Sequence, residues 1–82
     1  MIDVTIANFE TDVIEASKTT PVLVDFWAPW CGPCKTLGPL LEKVEADYGG
    51  RFILAKIDSD QEQQLAGAFG IRSIPTCVLL MG

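Results

Sequence analysis

The chain has 82 residues, 49% of them hydrophobic and 21% charged, and carries a formal net charge of −5. A length of this order holds one domain, residues 1–82, which buries only about 60–65% of its unfolded surface and leaves a thin margin of stability. The hydrophobic share excludes a disordered chain, and six basic against eleven acidic residues argue against nucleic acid or an anionic membrane as partner. No apolar run approaches the roughly 20 residues that a bilayer requires. The opening Met1-Ile2-Asp3-Val4-Thr5 has neither a basic flank nor an apolar core, so no secretion signal is visible and a cytoplasmic location is expected. In a reducing compartment, three cysteines point to catalysis, metal binding or burial rather than a disulfide scaffold.

Ile2–Ile6 alternates apolar and polar residues and reads as a short strand. Asn8 suits a helix N-cap, and Phe9, Val13 and Ile14 recur at helical spacing up to about Lys18. Thr19-Thr20 before Pro21 closes that helix, because the residue preceding a proline disfavours helical backbone. Val22–Ala28 is a β-branched and aromatic run interrupted only by Asp25, as expected of a strand buried on both faces. A turn from Pro29 then opens a helix running to about Tyr48, with Leu37, Leu40, Leu41 and Val44 as its apolar stripe, Pro39 as an expected kink and Gly49-Gly50 as its stop. Phe52–Ile57 is a third strand. Asp58 or Asp60 is placed to cap a short helix over roughly residues 61–69, ended by Gly70. Residues 71–75 read as loop and Thr76–Met81 as a last strand. Strands alternating with helices predict an α/β layered sheet with right-handed crossovers.

The strongest chemical signal is Cys31-Gly32-Pro33-Cys34 at the predicted start of a helix. Residues three apart share a helix face, so the two sulfurs can reach bonding distance. At the N-terminus Cys31 meets free amides and the positive end of the helix dipole, and both favour thiolate over thiol. Cys34, one turn in, is expected to be the more sheltered, which makes Cys31 an exposed nucleophile and Cys34 a resolving thiol. A structural zinc site needs four ligands, and the chain offers three cysteines and no histidine. Asp25, inside an apolar strand, is expected to titrate above the usual carboxylate range. Cys77, flanked by Thr76 and Val78, reads as a small buried hydrophobe, with a regulatory or partner-linking thiol as the alternative.

The segment Trp27-Ala28-Pro29-Trp30-Cys31-Gly32-Pro33-Cys34-Lys35 resembles the active-site segment of the thioredoxin family. Asp25 six residues before Cys31, and Ile74-Pro75-Thr76 with Pro75 forty-four residues after it, match the family's spacing. The resemblance implies a thioredoxin fold, a central mixed sheet flanked by helices. It further implies that Cys31 and Cys34 are the redox pair and that Asp25 accepts a proton from Cys34. Lys56 is then its neighbour on the adjoining strand, and the bond preceding Pro75 is cis. Trp30, Gly32, Pro33, Gly70, Ile71, Ile74 and Pro75 then form the surface that receives a client, with Trp30, Gly70, Ile71 and Ile74 as an apolar, uncharged collar. Trp27 is expected to pack beneath the active-site loop.

The implied activity is reduction of protein disulfides, with disulfide-bearing proteins as clients and thioredoxin reductase as electron donor. Neither metal nor organic cofactor is expected, the redox group being the Cys31–Cys34 disulfide itself. The family pattern continues past Gly82 with an antiparallel edge strand and a C-terminal helix, and the sequence lacks both. The 82 residues are therefore expected to be a fragment of the full fold, with 76–81 as an apolar edge open to self-association. A second reading is a thioredoxin-like binding or chaperone module of a larger protein with helical repeats. An oxidant or isomerase is a third, and the Gly32-Pro33 dipeptide counts against it.

Overall fold

The computed structural model describes residues 1–82. Four strands form one sheet: β1 (Ile2–Asp3), β2 (Val22–Trp27), β3 (Ile53–Asp58) and β4 (Thr76–Leu80), in spatial order β1-β3-β2-β4. β3 runs parallel to both β1 and β2, whereas β4 lies antiparallel to β2, so the sheet is mixed. Two α-helices, α1 (Gly32–Asp47) and α2 (Gln63–Ala68), and a π-helical segment Glu10–Glu15 complete the fold.

The two faces of the sheet follow from strand alternation. Val22, Val24 and Phe26 of β2 share one face with Ala55 and Ile57 of β3, and all five are fully buried. Val4, Val13 of the π-helical segment and Leu65 and Ala66 of α2 complete that core. Phe69 follows α2 and sets its ring 5.2 Å from that of Phe26 and 5.8 Å from that of Phe9. The opposite face carries Leu23, Asp25 and Trp27, then Leu54 and Lys56, then Cys77 and Leu79. α1 packs on this side over β3.

Several elements differ from their expected form. β1 ends at Asp3 rather than Ile6 because the chain turns: the Asn8 amide donates to the Thr5 carbonyl, and Asn8 Oδ1 accepts from Thr5 N at 2.7 Å. Asn8 is thus consumed by the preceding turn, and the following helix begins at Phe9 without a side-chain cap. Asp58 likewise caps no helix. Its Oδ1 accepts from the amides of Asp60 and Gln61, forming a turn that delays α2 to Gln63.

The apolar stripe expected for α1 is only partly used. Leu40 and Val44 are exposed, and the buried residues of the helix are Cys34 and Gly38. Gly38 is the point of close approach between α1 and Lys56. A Cβ there would lie 3.2 Å from Lys56 Nζ, so the missing side chain lets helix and lysine approach. Glu45, almost two turns on, accepts a 2.7 Å bond from the Leu54 amide, which lies beyond the reach of β1 since Ile2 pairs with Ala55. Burial raises the Glu45 pKa, but the hydrogen bonds and charge of the terminal amine, with the Leu54 amide, outweigh it and hold the carboxyl below its usual range. Gly49 and Gly70, which follow the two helices, have φ of +57° and +66°, a region that side chains rarely adopt.

Phe26 carries the largest fully buried side chain. Phe26→Ala is expected to cost about 3–5 kcal/mol, a large part of the stability of so small a domain. Urea denaturation followed by circular dichroism should show the midpoint falling accordingly, and an unchanged midpoint would contradict this core assignment.

Candidate active site

The loop from β2 to α1 is short and pinned. The Cys31 amide donates to the Ala28 carbonyl at 3.1 Å, and the Ser59 amide to the Trp27 carbonyl at 2.8 Å. α1 therefore starts at the C-terminal end of β2, with Cys31 at the N-cap in extended backbone and Gly32 and Pro33 in the first turn. Cys31 Sγ accepts a hydrogen bond from the Cys34 amide at 3.2 Å. The two sulfurs are joined in a disulfide, with their Cα atoms 5.3 Å apart.

The expected contrast in exposure between the two cysteines is absent. Cys31 is 3% exposed and Cys34 5%, because both pack with Ala28 in a small cluster that Trp27 and Ile74 cover. Trp27 thus has the packing role expected of it. In the disulfide form the asymmetry of the pair is one of position: Cys31 sits on the cap and Cys34 inside the helix. The Ile74–Pro75 bond is cis, as the resemblance implied, and Ile74 lies against the cluster.

Asp25 is 1% exposed and stands opposite Lys56 on β3 and opposite Cys77 on β4. Burial pushes its carboxyl above the usual range, against the opposing pull of the Lys56 charge and a hydrogen bond from Cys77. Lys56 itself turns toward α1: Nζ lies 4.9 Å from the centroid of the Trp27 ring and 4.0 Å from Glu42 Oε2. Asp25 Oδ2 is buried and has no hydrogen-bond partner.

Cys77 is exposed, contrary to its expected burial. β4 is an edge strand, and α1 lies over β3 rather than β4, so the Cys77 face stays open there. Its thiol nevertheless makes a part-buried contact with Asp25.

Beside the disulfide, a groove of about 550 Å³ brings together Trp30, Ile71 and Ile74 of the expected client surface. Gly70 does not line it. Nor is the groove uncharged and apolar, since Arg72, Gln63 and Ser59 line it as well. Trp30 is 67% exposed and held by a 2.8 Å hydrogen bond from its Nε1 to Asp60 Oδ2. From the sequence, Asp60 is a candidate helix cap and nothing more. Its partnership with Trp30 spans thirty residues and has no local signal. No group of three or more His, Cys, Asp or Glu side chains is arranged to hold a metal ion.

A family model described as thioredoxin matches residues 1–82. The chain belongs to the thioredoxin family. It is 49% identical to the thioredoxin of Chlorobaculum thiosulfatiphilum, over 92% of this chain and 68% of that protein. It is 46% identical to the thioredoxin of Pseudomonas aeruginosa, over 96% of this chain and 71% of that one. It also matches the bifunctional thioredoxin reductase/thioredoxin of Mycobacterium leprae at 46% identity, over 99% of this chain and 17% of that protein. Family membership and the bonded cysteine pair make this chain a thiol–disulfide oxidoreductase, a protein-disulfide reductase of the thioredoxin type. The family also makes disulfide-bearing proteins its class of substrate.

Because the Asp25 pKa is raised on folding, the folded chain holds this proton at pH values where the unfolded chain has released it. Stability contributed by the protonated carboxyl is therefore lost as pH rises through the window between the ordinary value and the raised one. Asp25→Asn, which mimics the neutral acid, is expected to raise the melting temperature at pH 8 and to have little effect near pH 3. A gain of the same size at both pH values would contradict a buried, desolvated carboxylate.

Proposed function

We propose that residues 1–82 act as one thioredoxin-like unit in which Cys31 is the attacking thiol and Cys34 the resolving one. With the disulfide reduced, the Cys34 amide aimed at Cys31 Sγ and the N-terminal position on α1 favour the Cys31 thiolate. The thiolate attacks one sulfur of a client disulfide, forming a Cys31–client bond and releasing the other client sulfur as a thiolate. Cys34 then loses its proton, attacks Cys31 Sγ and expels the second client sulfur. Two electrons pass to the client, and the Cys31–Cys34 disulfide remains.

Asp25 is the acceptor of the Cys34 proton in this scheme, and Lys56 moderates its charge. Burial that keeps the carboxyl above its usual range, and an unpartnered Oδ2, support that role.

Trp30, Gly32, Pro33, Gly70, Ile71, Ile74 and Pro75 receive the client. The backbone beside Pro75 pairs with an extended client segment as an added strand, and Ile74 packed on the cysteine cluster supports this placement. Thioredoxin reductase is the proposed electron donor, supported by the name of the Mycobacterium leprae relative, which joins the two activities in one chain. No organic cofactor or metal enters these steps. We place the protein in the cytoplasm, where a reducing pool keeps such dithiols poised. No helix is long and apolar enough to cross a membrane. The relatives are named thioredoxins, which favours this reading over a chaperone module with helical repeats.

The bonded Cys31–Cys34 pair at the start of α1 carries the proposal. In an insulin-reduction assay, Cys31→Ser should fall to the rate of free dithiothreitol. Cys34→Ser should accumulate a Cys31-linked mixed disulfide detectable by mass spectrometry. Turnover surviving in Cys31→Ser would remove Cys31 as the nucleophile.

The outer edge of β4 has no strand beside it, and Leu79 and Met81 are exposed there. We propose that two copies associate through residues 76–81. Sedimentation equilibrium is expected to show a concentration-dependent dimer that a Leu79→Lys variant abolishes, and a strictly monomeric chain would exclude it.

A further inference from the structure

Asp25 is a buried carboxylate with only one side-chain hydrogen-bond donor. The neighbouring cation does not bond it, because Lys56 Nζ is drawn toward the Trp27 ring and Glu42. The donor is Cys77, whose Sγ lies 3.9 Å from Asp25 Oδ1. The antiparallel register sets this contact, since Asp25 and Cys77 are directly opposed on one face of the sheet. Burial and the adjacent carboxylate push the Cys77 thiol up, so it stays protonated and able to donate. Its bond occupies Oδ1 and leaves Oδ2 as the buried oxygen with no partner.

We propose that Cys77 is a positioning residue for Asp25: its thiol fixes one carboxylate oxygen so that the other is presented for proton transfer. This rests on the proton-acceptor role given to Asp25. A thiol hydrogen bond to the charged form stabilises that form and opposes the effect of burial. Cys77 is therefore one of the groups that set the pH at which Asp25 exchanges its proton. The others that bear on Asp25 are Lys56 of β3 and, through its pairing with Lys56, Glu42 of α1. Oxidised Cys31 and Cys34 do not titrate, which isolates Asp25 and its neighbours in the disulfide form.

The test is an NMR titration of the Asp25 carboxyl carbon in the oxidised full chain. Cys77→Val keeps the bulk of the side chain and removes the donor, whereas Cys77→Ser keeps a donor. An upward displacement of the Asp25 titration in Cys77→Val, with Cys77→Ser closer to wild type, supports the proposal. An unchanged or lowered titration in Cys77→Val overturns it, as does the same displacement in both variants, which would reflect packing alone. A second measurement is the pH profile of mixed-disulfide resolution, which should move upward in Cys77→Val in step with the NMR titration. If Asp25→Asn has the wild-type profile while Cys77→Val still displaces the titration, the hydrogen bond stands and the proton-acceptor role of Asp25 fails. The two failures are thereby told apart.

Discussion

The pinned passage from β2 into α1 is the constraint on which the chemistry depends. Four residues separate the end of the strand at Trp27 from the first helical residue, Gly32. The Ala28 and Trp27 carbonyls are both claimed by amides that lock this loop. The helix therefore begins where Cys31 is still extended and Cys34 already lies in its first turn. A sulfur at the cap meets an unclaimed amide, and the second sulfur falls within bonding reach of the first. A helix starting one residue later would displace both relationships together, because the cap position and the i, i+3 spacing share one origin.

The second constraint is electrostatic. A carboxylate placed in the middle of β2 is costly unless it is paired or neutral, and Asp25 is only incompletely paired. Lys56 stands across the strand pair, but α1 competes for it through Glu42, and Trp27 takes it over its ring. Gly38 makes room for that arrangement at a place where alanine would favour the helix by about 1 kcal/mol. The helix thus gives up local stability to hold the lysine between itself and the sheet. Full pairing of Asp25 would lower its proton affinity, and the diversion of Lys56 keeps that pairing incomplete.

The surface beside the disulfide combines two chemistries. Trp30, Ile71 and Ile74 offer apolar area, while Arg72, Gln63 and Ser59 bring charge and hydrogen-bonding capacity to the same groove. Trp30 is mostly in solvent yet held through Asp60, which presents an aromatic plate at reduced entropic cost. The far edge of the sheet differs in character. α1 reaches β3 but leaves Leu79 and Cys77 of β4 open.

The element order, the position of the cysteine pair at a helix start and the presence of a carboxylate inside an apolar strand were all legible in the sequence. Each is a local property of strand, turn and helix over a few residues. Family spacing added Pro75, whose cis bond the structure contains. Strand order, by contrast, depends on which segments meet in space. Only the folded sheet brings Cys77 opposite Asp25, fastens Glu45 to the Leu54 amide and joins Asp60 to Trp30. Exposure is decided in the same way. Trp27 and Ile74 close over Cys31, whereas Cys77 stays exposed on the edge strand with its thiol half-sheltered against Asp25, and each outcome is set by residues packed together only by the tertiary fold.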